Sequence, residues 1–207
     1  MESTKHEQAN DRKWSDRSRT YDEKRFNYFR FMQKRALSFL SPGEGSSFLD
    51  LGCGTGWAVR SVAEKCNGKG TFVGIDISAG MIAKAKANAR GCEHIMFYQA
   101  SAESLPLESD FFHSIICTNS FHHYLRPARA LGEVYRVLRQ KGKVCILDVT
   151  SDDFFITWIN GIVQKKEKEH VNFYNSNEYK SMFENSGLRY IKSKTIVYPL
   201  KIHVAEK

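Results

Sequence analysis

The sequence contains no apolar stretch approaching the roughly 18 residues that a membrane span requires, and no apolar run follows Met1. These absences predict a soluble, unsecreted protein in a cytoplasmic setting. A disulfide framework is also lacking. The five cysteines (Cys53, Cys66, Cys92, Cys117 and Cys145) are odd in number, widely spaced and mostly embedded in apolar patterns. That distribution fits a reduced compartment better than disulfides or a zinc site, and no metal is expected. Nor is there a basic stripe. The 31 Lys and Arg exceed the 23 Asp and Glu, for a formal charge of +8. The excess is spread over the N-terminal helix, the Lys165 to Lys168 segment and the C-terminal tail, each mixed with acids. It supplies a modest electrostatic bias and argues against a nucleic-acid partner.

What is present is a 207-residue chain, 42% hydrophobic and 26% charged, enough for one domain with a two-faced core. Its organising stretch is Ser46 to Gly56, S-S-F-L-D-L-G-C-G-T-G. A short apolar run, Phe48 to Leu51, breaks into Gly52, Gly54 and Gly56, which spells a buried strand entering a glycine-rich turn. Trp57, Val59, Val62 and Ala63 then recur at helical spacing. A loop of bare backbone between strand and helix lets a ligand approach closely. About twenty residues on, T-F-V-G-I-D (Thr71 to Asp76) ends in a carboxylate that can accept two hydrogen bonds from a ribose diol. Together these parts describe a nucleoside site at the switch point of a parallel sheet.

A dinucleotide fingerprint, G-x-G-x-x-G, fits poorly. The third glycine comes one place early and Trp57 stands where that motif wants glycine, so an indole would obstruct its close helix-to-strand packing. Asp50, two residues before Gly52, is also polar where the strand should be core.

The segments D-L-G-C-G-T-G, G-I-D-I-S, A-E-S-L-P-L and H-H-Y-L-R-P-A-R-A-L-G-E-V-Y-R-V-L resemble the class I S-adenosylmethionine-dependent methyltransferases. The likeness is closest to the small-molecule branch typified by quinone-biosynthesis C-methyltransferases, and runs from about Tyr21 to the C-terminus. It implies an α/β fold: a Rossmann-like seven-stranded sheet, mostly parallel with a C-terminal antiparallel hairpin, with helices on both faces. It also implies S-adenosyl-L-methionine as cofactor. Carried over by position, the backbone of Gly52, Gly54 and Gly56 holds the methionine end, and Asp50 orients its ammonium group through water. Asp76 takes the ribose hydroxyls, with Ile77 beside it and Met81 reaching toward the adenine edge. Cys53 lies inside the loop, where a small side chain is tolerated. The family usually has an Asp where this chain has Ser101, and a neutral hydroxyl is a weaker acceptor than a carboxylate. Either Glu103 substitutes, or cofactor affinity is lower, or the backbone of Ala102 carries the recognition.

Met1 to about Asp11 is polar and aperiodic and is expected to fray. Trp14 to Leu40 reads as an amphipathic helix, broken near Thr20, that carries Tyr21, Phe26, Phe29, Phe31 and Met32. In the resembling family such a segment is a lid, and Tyr21, followed by Asp22, falls where a Tyr often lies near the methyl donor. The alternative is an aromatic stripe that only covers the sheet. Residues 1–40 are therefore assigned as a helical lid segment and 41–207 as a single cofactor-binding domain. Ser78 is a plausible cap for a helix from Ala79 to Ala89. Ile95 to Ala100, Phe111 to Thr118 and Val144 to Val149 read as strands, and Ala128 to Leu138, opened by Pro127, as a helix.

Past the fourth strand comes N-S-F-H-H-Y, Asn119 to Tyr124. Residues there face the ligand crevice, so Asn119 is assigned to the cofactor. His122 and His123 become candidates for a general base, although one His of such a pair commonly packs or caps instead. Residues 152–175, rich in aromatics, form a variable cap that favours an apolar or planar acceptor, or else an extra core layer or a dimer contact. A helix capped by Ser176 or Asn177 and two strand-like runs, Leu188 to Tyr198 and Leu200 to Ala205, complete a hairpin.

The expected reaction is in-line methyl transfer to a small molecule, driven by alignment and needing no strong acid or base. Two other readings compete. A macromolecular acceptor such as RNA is prompted by the basic charge, but the fourth strand ends in T-N-S-F rather than the N-P-P-Y type and no RNA-binding module is appended. A non-catalytic cofactor-binding scaffold is prompted by Ser101. Either a monomer or a homodimer is expected.

Overall fold

A computed structural model describes residues 4–18, 20–21, 26–167 and 170–207; Asp22, Lys168 and the side chain of Phe26 lie outside it. Among the described residues, the helices α1 (Lys5–Arg17) and α2 (Phe26–Leu37) lie before β1 (Ser46–Leu51). Then come α3 (Trp57–Lys65), β2 (Gly70–Asp76), α4 (Ala79–Asn88), β3 (Ile95–Gln99) and β4 (Phe112–Thr118). A single 3-10 turn, Phe121–His123, leads to α5 (Pro127–Val137) and β5 (Leu138–Val149), and α6 (Phe154–Lys166), α7 (Ser176–Asn185), β6 (Arg189–Val197) and β7 (Leu200–Glu206) complete the chain.

The strands make one seven-stranded sheet in the order β3-β2-β1-β4-β5-β7-β6. The first five are parallel, and β7 runs antiparallel between β5 and β6. The chain moves outward from β1 to β3, then returns to β4 on the other side of β1. The crevice at this reversal is where ligands bind in open α/β sheets.

Alternate residues of each central strand serve opposite faces. Leu49, Leu51, Ile75 and Ile115 pack against Leu131 and Val134 of α5 and Tyr179 and Phe183 of α7. Phe48, Phe72, Ile116 and Cys145 pack against Met32 and Ala36 of α2 and Val59 and Val62 of α3. With both faces covered, the strands read as continuous apolar runs rather than alternating ones. Truncating a filled position such as Leu131, fully buried in this layer, would cost about 2–5 kcal/mol.

Several boundaries differ from expectation. Residues 5–17 do not fray: Thr4 and Glu7 form a reciprocal capping box, with Thr4 Oγ1 accepting from the Glu7 N–H (3.1 Å) and Glu7 Oε2 from the Thr4 N–H (2.7 Å). Within the stretch read as a helix from Trp14 to Leu40 with a break near Thr20, the described residues include the end of α1 at Arg17 and the separate α2, which ends at Leu37 rather than Leu40. Asn175, not Ser176 or Asn177, caps α7, because its side chain accepts from the N–H groups of both Asn177 and Glu178. Strand β5 starts at Leu138 rather than Val144, with a register shift against β4 between Phe112 and Ser114.

Candidate active site

Where β1 ends, Gly52 takes φ 70° and brings the chain against the segment that follows β4. A Cβ on Gly52 would stand 2.1 Å from Ser120 Oγ, so no larger residue fits. Gly56, at φ 77°, opens α3, and its added Cβ would meet the Phe97 ring at 2.5 Å. It is a packing position that does not line the cavity.

Asp76, at the end of β2, ties this loop down. Its Oδ2 accepts from the Gly54 N–H (2.8 Å) and its Oδ1 from the Ser78 N–H (2.9 Å). Burial pushes the carboxyl up to about 6 in spite of these two bonds. Asp50 is completely buried, and neither carboxylate oxygen has a partner within the protein. Burial first, then the neighbouring Asp76 charge, raises its pKa to about 8. An acid this exposed to desolvation, with nothing to bond, is suited to a cation arriving from outside the protein.

Asp76 borders a cavity of about 770 Å³ including its open mouth, whereas Asp50, completely buried, is not among its lining residues. Gly52, Gly54, Asp76, Ile77 and Met81 line the cavity. Ser101, Ala102, Glu103, Asn119, His123 and Tyr21 also line it. Cys53 faces a second chamber, about 490 Å³, lined by Arg30, Gln33 and Trp57. The two chambers share Tyr21, Gly52, Gly54, Thr118 and Asn119.

The paired histidines separate. His122 Nδ1 lies 2.7 Å from Asp148 Oδ1, and its backbone N–H donates to Asp148 Oδ2 (3.1 Å). Its ring packs against Phe173 and does not line the cavity. The His123 ring does line it, 5.5 Å from the Trp14 ring, edge to face. Glu103 is engaged elsewhere: Oε1 accepts from the Arg126 N–H (2.8 Å) and Oε2 from Arg126 Nε (2.7 Å). Tyr21 stacks on Phe29 with ring centres 5.8 Å apart.

Within the segment read as a lid, the sequence did not single out the α1 residues that roof the cavity. His6, Glu7, Asn10 and Trp14, all from α1, line the cavity. The helix is fastened by His6 Nε2 to the His123 carbonyl (2.8 Å), and by Asp11 Oδ1 accepting from the Ala79 N–H (2.9 Å). One signal was available, since Thr4 to Glu7 spells the T-x-x-E capping box. The pairing of α1 with α4 spans more than sixty residues and has no local signature.

A family model described as "Methyltransferase domain" matches residues 42–187. The chain belongs to the methyltransferase domain family. Among relatives of this methyltransferase domain, "Uncharacterized methyltransferase YcgJ" of Bacillus subtilis is 30% identical over 149 residues, covering 69% of this chain and 56% of that protein. The "Ubiquinone/menaquinone biosynthesis C-methyltransferase UbiE" of Wigglesworthia glossinidia brevipalpis is 26% identical over 170 residues, covering 81% of this chain and 64% of that protein. The domain thus spans less than two thirds of either relative's length. A solved structure, the "SAM dependent methyltransferase from Aquifex aeolicus", superposes with a TM-score of 0.72 at 19% identity, over 92% of this chain and 97% of that one. That likeness establishes the Rossmann-like methyltransferase fold with its C-terminal antiparallel hairpin. Among the described residues no helix is long and apolar enough to cross a membrane.

Proposed function

We propose that this protein transfers a methyl group from S-adenosyl-L-methionine to a small, apolar or planar acceptor. The observation that carries the reading is Asp50, a fully buried carboxylate without a protein partner at the end of the strand that feeds the glycine loop. It suits orienting, through water, the ammonium group of the cofactor's methionine end. Asp76 fits the ribose, because a carboxylate has about four acceptor positions and the Gly54 and Ser78 N–H groups take two. When bound, the cofactor supplies an electrophilic methyl on a sulfonium that is its own leaving group.

The protein's part is then to orient and to exclude water. Gly52 and Gly54 present bare backbone to the methionine end. Trp14, Tyr21 and His123 give the cavity planar walls, which supports an aromatic or conjugated acceptor. His123 is the histidine of the pair assigned to the acceptor, either to take a proton or to pack against it. His122 is assigned to hold Asp148 and the cap, whose Val171 N–H donates to the His122 carbonyl (2.9 Å). The quinone methyltransferase named among the relatives is consistent with such an acceptor. Five cysteines without disulfides, four of them buried, support a cytoplasmic setting.

Calorimetric titration with S-adenosylmethionine, S-adenosylhomocysteine and NADH tests the reading. Binding of the two adenosyl compounds alone supports it. Binding of neither overturns it and favours a scaffold of the same fold.

A further inference from the structure

The adenine end of the cavity lacks an acid at position 101, and the obvious substitute is occupied. Both oxygens of Glu103 accept from Arg126, and the Glu103 N–H donates to Ser101 Oγ (3.3 Å). A different carboxylate reaches the same place. Glu7, in the first turn of α1, lines the same cavity as Ser101 and Ala102, and the Ser101 hydroxyl is near enough to help lower its pKa. Its aim is fixed from behind, because Oε2 accepts from the Thr4 N–H (2.7 Å).

We propose that Glu7 is the adenine-reading acid of this site, delivered by α1 from across the cavity in place of an acid on the loop after β3. The inference rests on the S-adenosylmethionine reading above. Adenine presents a donor, its exocyclic amine, beside an acceptor, the adjacent ring nitrogen. A carboxylate can only accept when ionised. Glu7 is held ionised at neutral pH because the Ser101 hydroxyl, its hydrogen bonds to Thr4 and the charge of Arg126 outweigh its partial burial. It therefore matches the amine, and Ala102 lines the same cavity. Hypoxanthine, with a carbonyl in place of the amine, would set oxygen against oxygen. Sites built to bond a particular donor reject the analogue lacking it, because a buried polar group is left unpaired.

The test compares S-adenosylhomocysteine with S-inosylhomocysteine by calorimetry on the full chain and on Glu7→Gln. Glutamine keeps the T-x-x-E/Q capping box, so α1 is expected to stay folded, which circular dichroism checks. The wild-type protein should prefer the adenosyl compound by about tenfold or more. In Glu7→Gln that preference should disappear, since an amide can accept from an amine or donate to a carbonyl. A preference absent in the wild type, or unchanged in the variant, overturns the role of Glu7 while leaving the cofactor reading intact. A purely structural role would weaken both ligands alike and keep their ratio. If the wild type binds neither compound, this inference and the proposed function fall together.

Discussion

Gly80 lies against Ser15 so closely that a Cβ added to it would stand 2.7 Å from Ser15 Cα, and the Gly80 N–H donates to the Ser15 hydroxyl at 2.9 Å. The Ala79 N–H likewise goes to Asp11. Side chains of α1 thus satisfy two of the amide groups that the start of α4 cannot pair within its own helix.

Substituting Gly80→Ala sets two effects against each other. Alanine is better in a helix than glycine by about 1 kcal/mol, yet here it collides with the backbone of α1. We expect faster protease cleavage within residues 5–17 and weaker S-adenosylhomocysteine binding, with the sheet intact by circular dichroism. A variant that is both more stable and equally protected would show that α1 does not depend on this notch.

Asp76→Ala removes the anchor of Gly54 and Ser78 together with the proposed ribose acceptor. Cofactor affinity should fall about tenfold or more, and the protein should still fold. Unchanged affinity by calorimetry would remove Asp76 from the site.

Asp50 predicts a pH dependence of opposite sign for stability and for binding. Its folded pKa of about 8 exceeds the usual 3.8, so the folded state holds the proton more tightly, and stability falls as pH rises between those values. Asp50→Asn should flatten that part of the melting-temperature profile. A cation bound beside Asp50 favours the ionised form, so cofactor binding at pH 7 should release a proton and tighten as pH approaches 8. Calorimetry in buffers of different ionisation enthalpy measures this; a proton count of zero, matched by Asp50→Asn, would contradict it.

How much of this was legible beforehand depended on the range of the signal. The strand, glycine loop and acid from Phe48 to Asp76 announce themselves locally, as does Ser78, whose hydroxyl accepts from the Met81 N–H at 3.1 Å. The start of β5 and the cap of α7 were misplaced because register shifts and caps depend on neighbours. Glu7 and Ser15 were invisible as site elements, since their partners, Ser101 and Gly80, are distant in sequence. The two histidines looked equivalent in a row, and only the Asp148 carboxylate separates them.

That separation gives two different outcomes for alanine substitution. His122→Ala strips one partner from the wholly buried Asp148 and should cost about 1–3 kcal/mol of stability, read as a lower denaturant midpoint. His123→Ala should leave the midpoint nearly unchanged and lower kcat with an acceptor once one is found. Equal destabilisation by both would erase the distinction.

Because the roof is supplied by α1, the pocket is complete only in molecules where that helix is docked. Ligand affinity and docking are then one linked equilibrium: if α1 were seated in about one molecule in ten, the apparent dissociation constant would be about tenfold weaker than that of the closed form. Saturating ligand would in turn draw nearly every molecule into the seated form, so slowed amide exchange along residues 5–17 would report a binding event taking place beneath them.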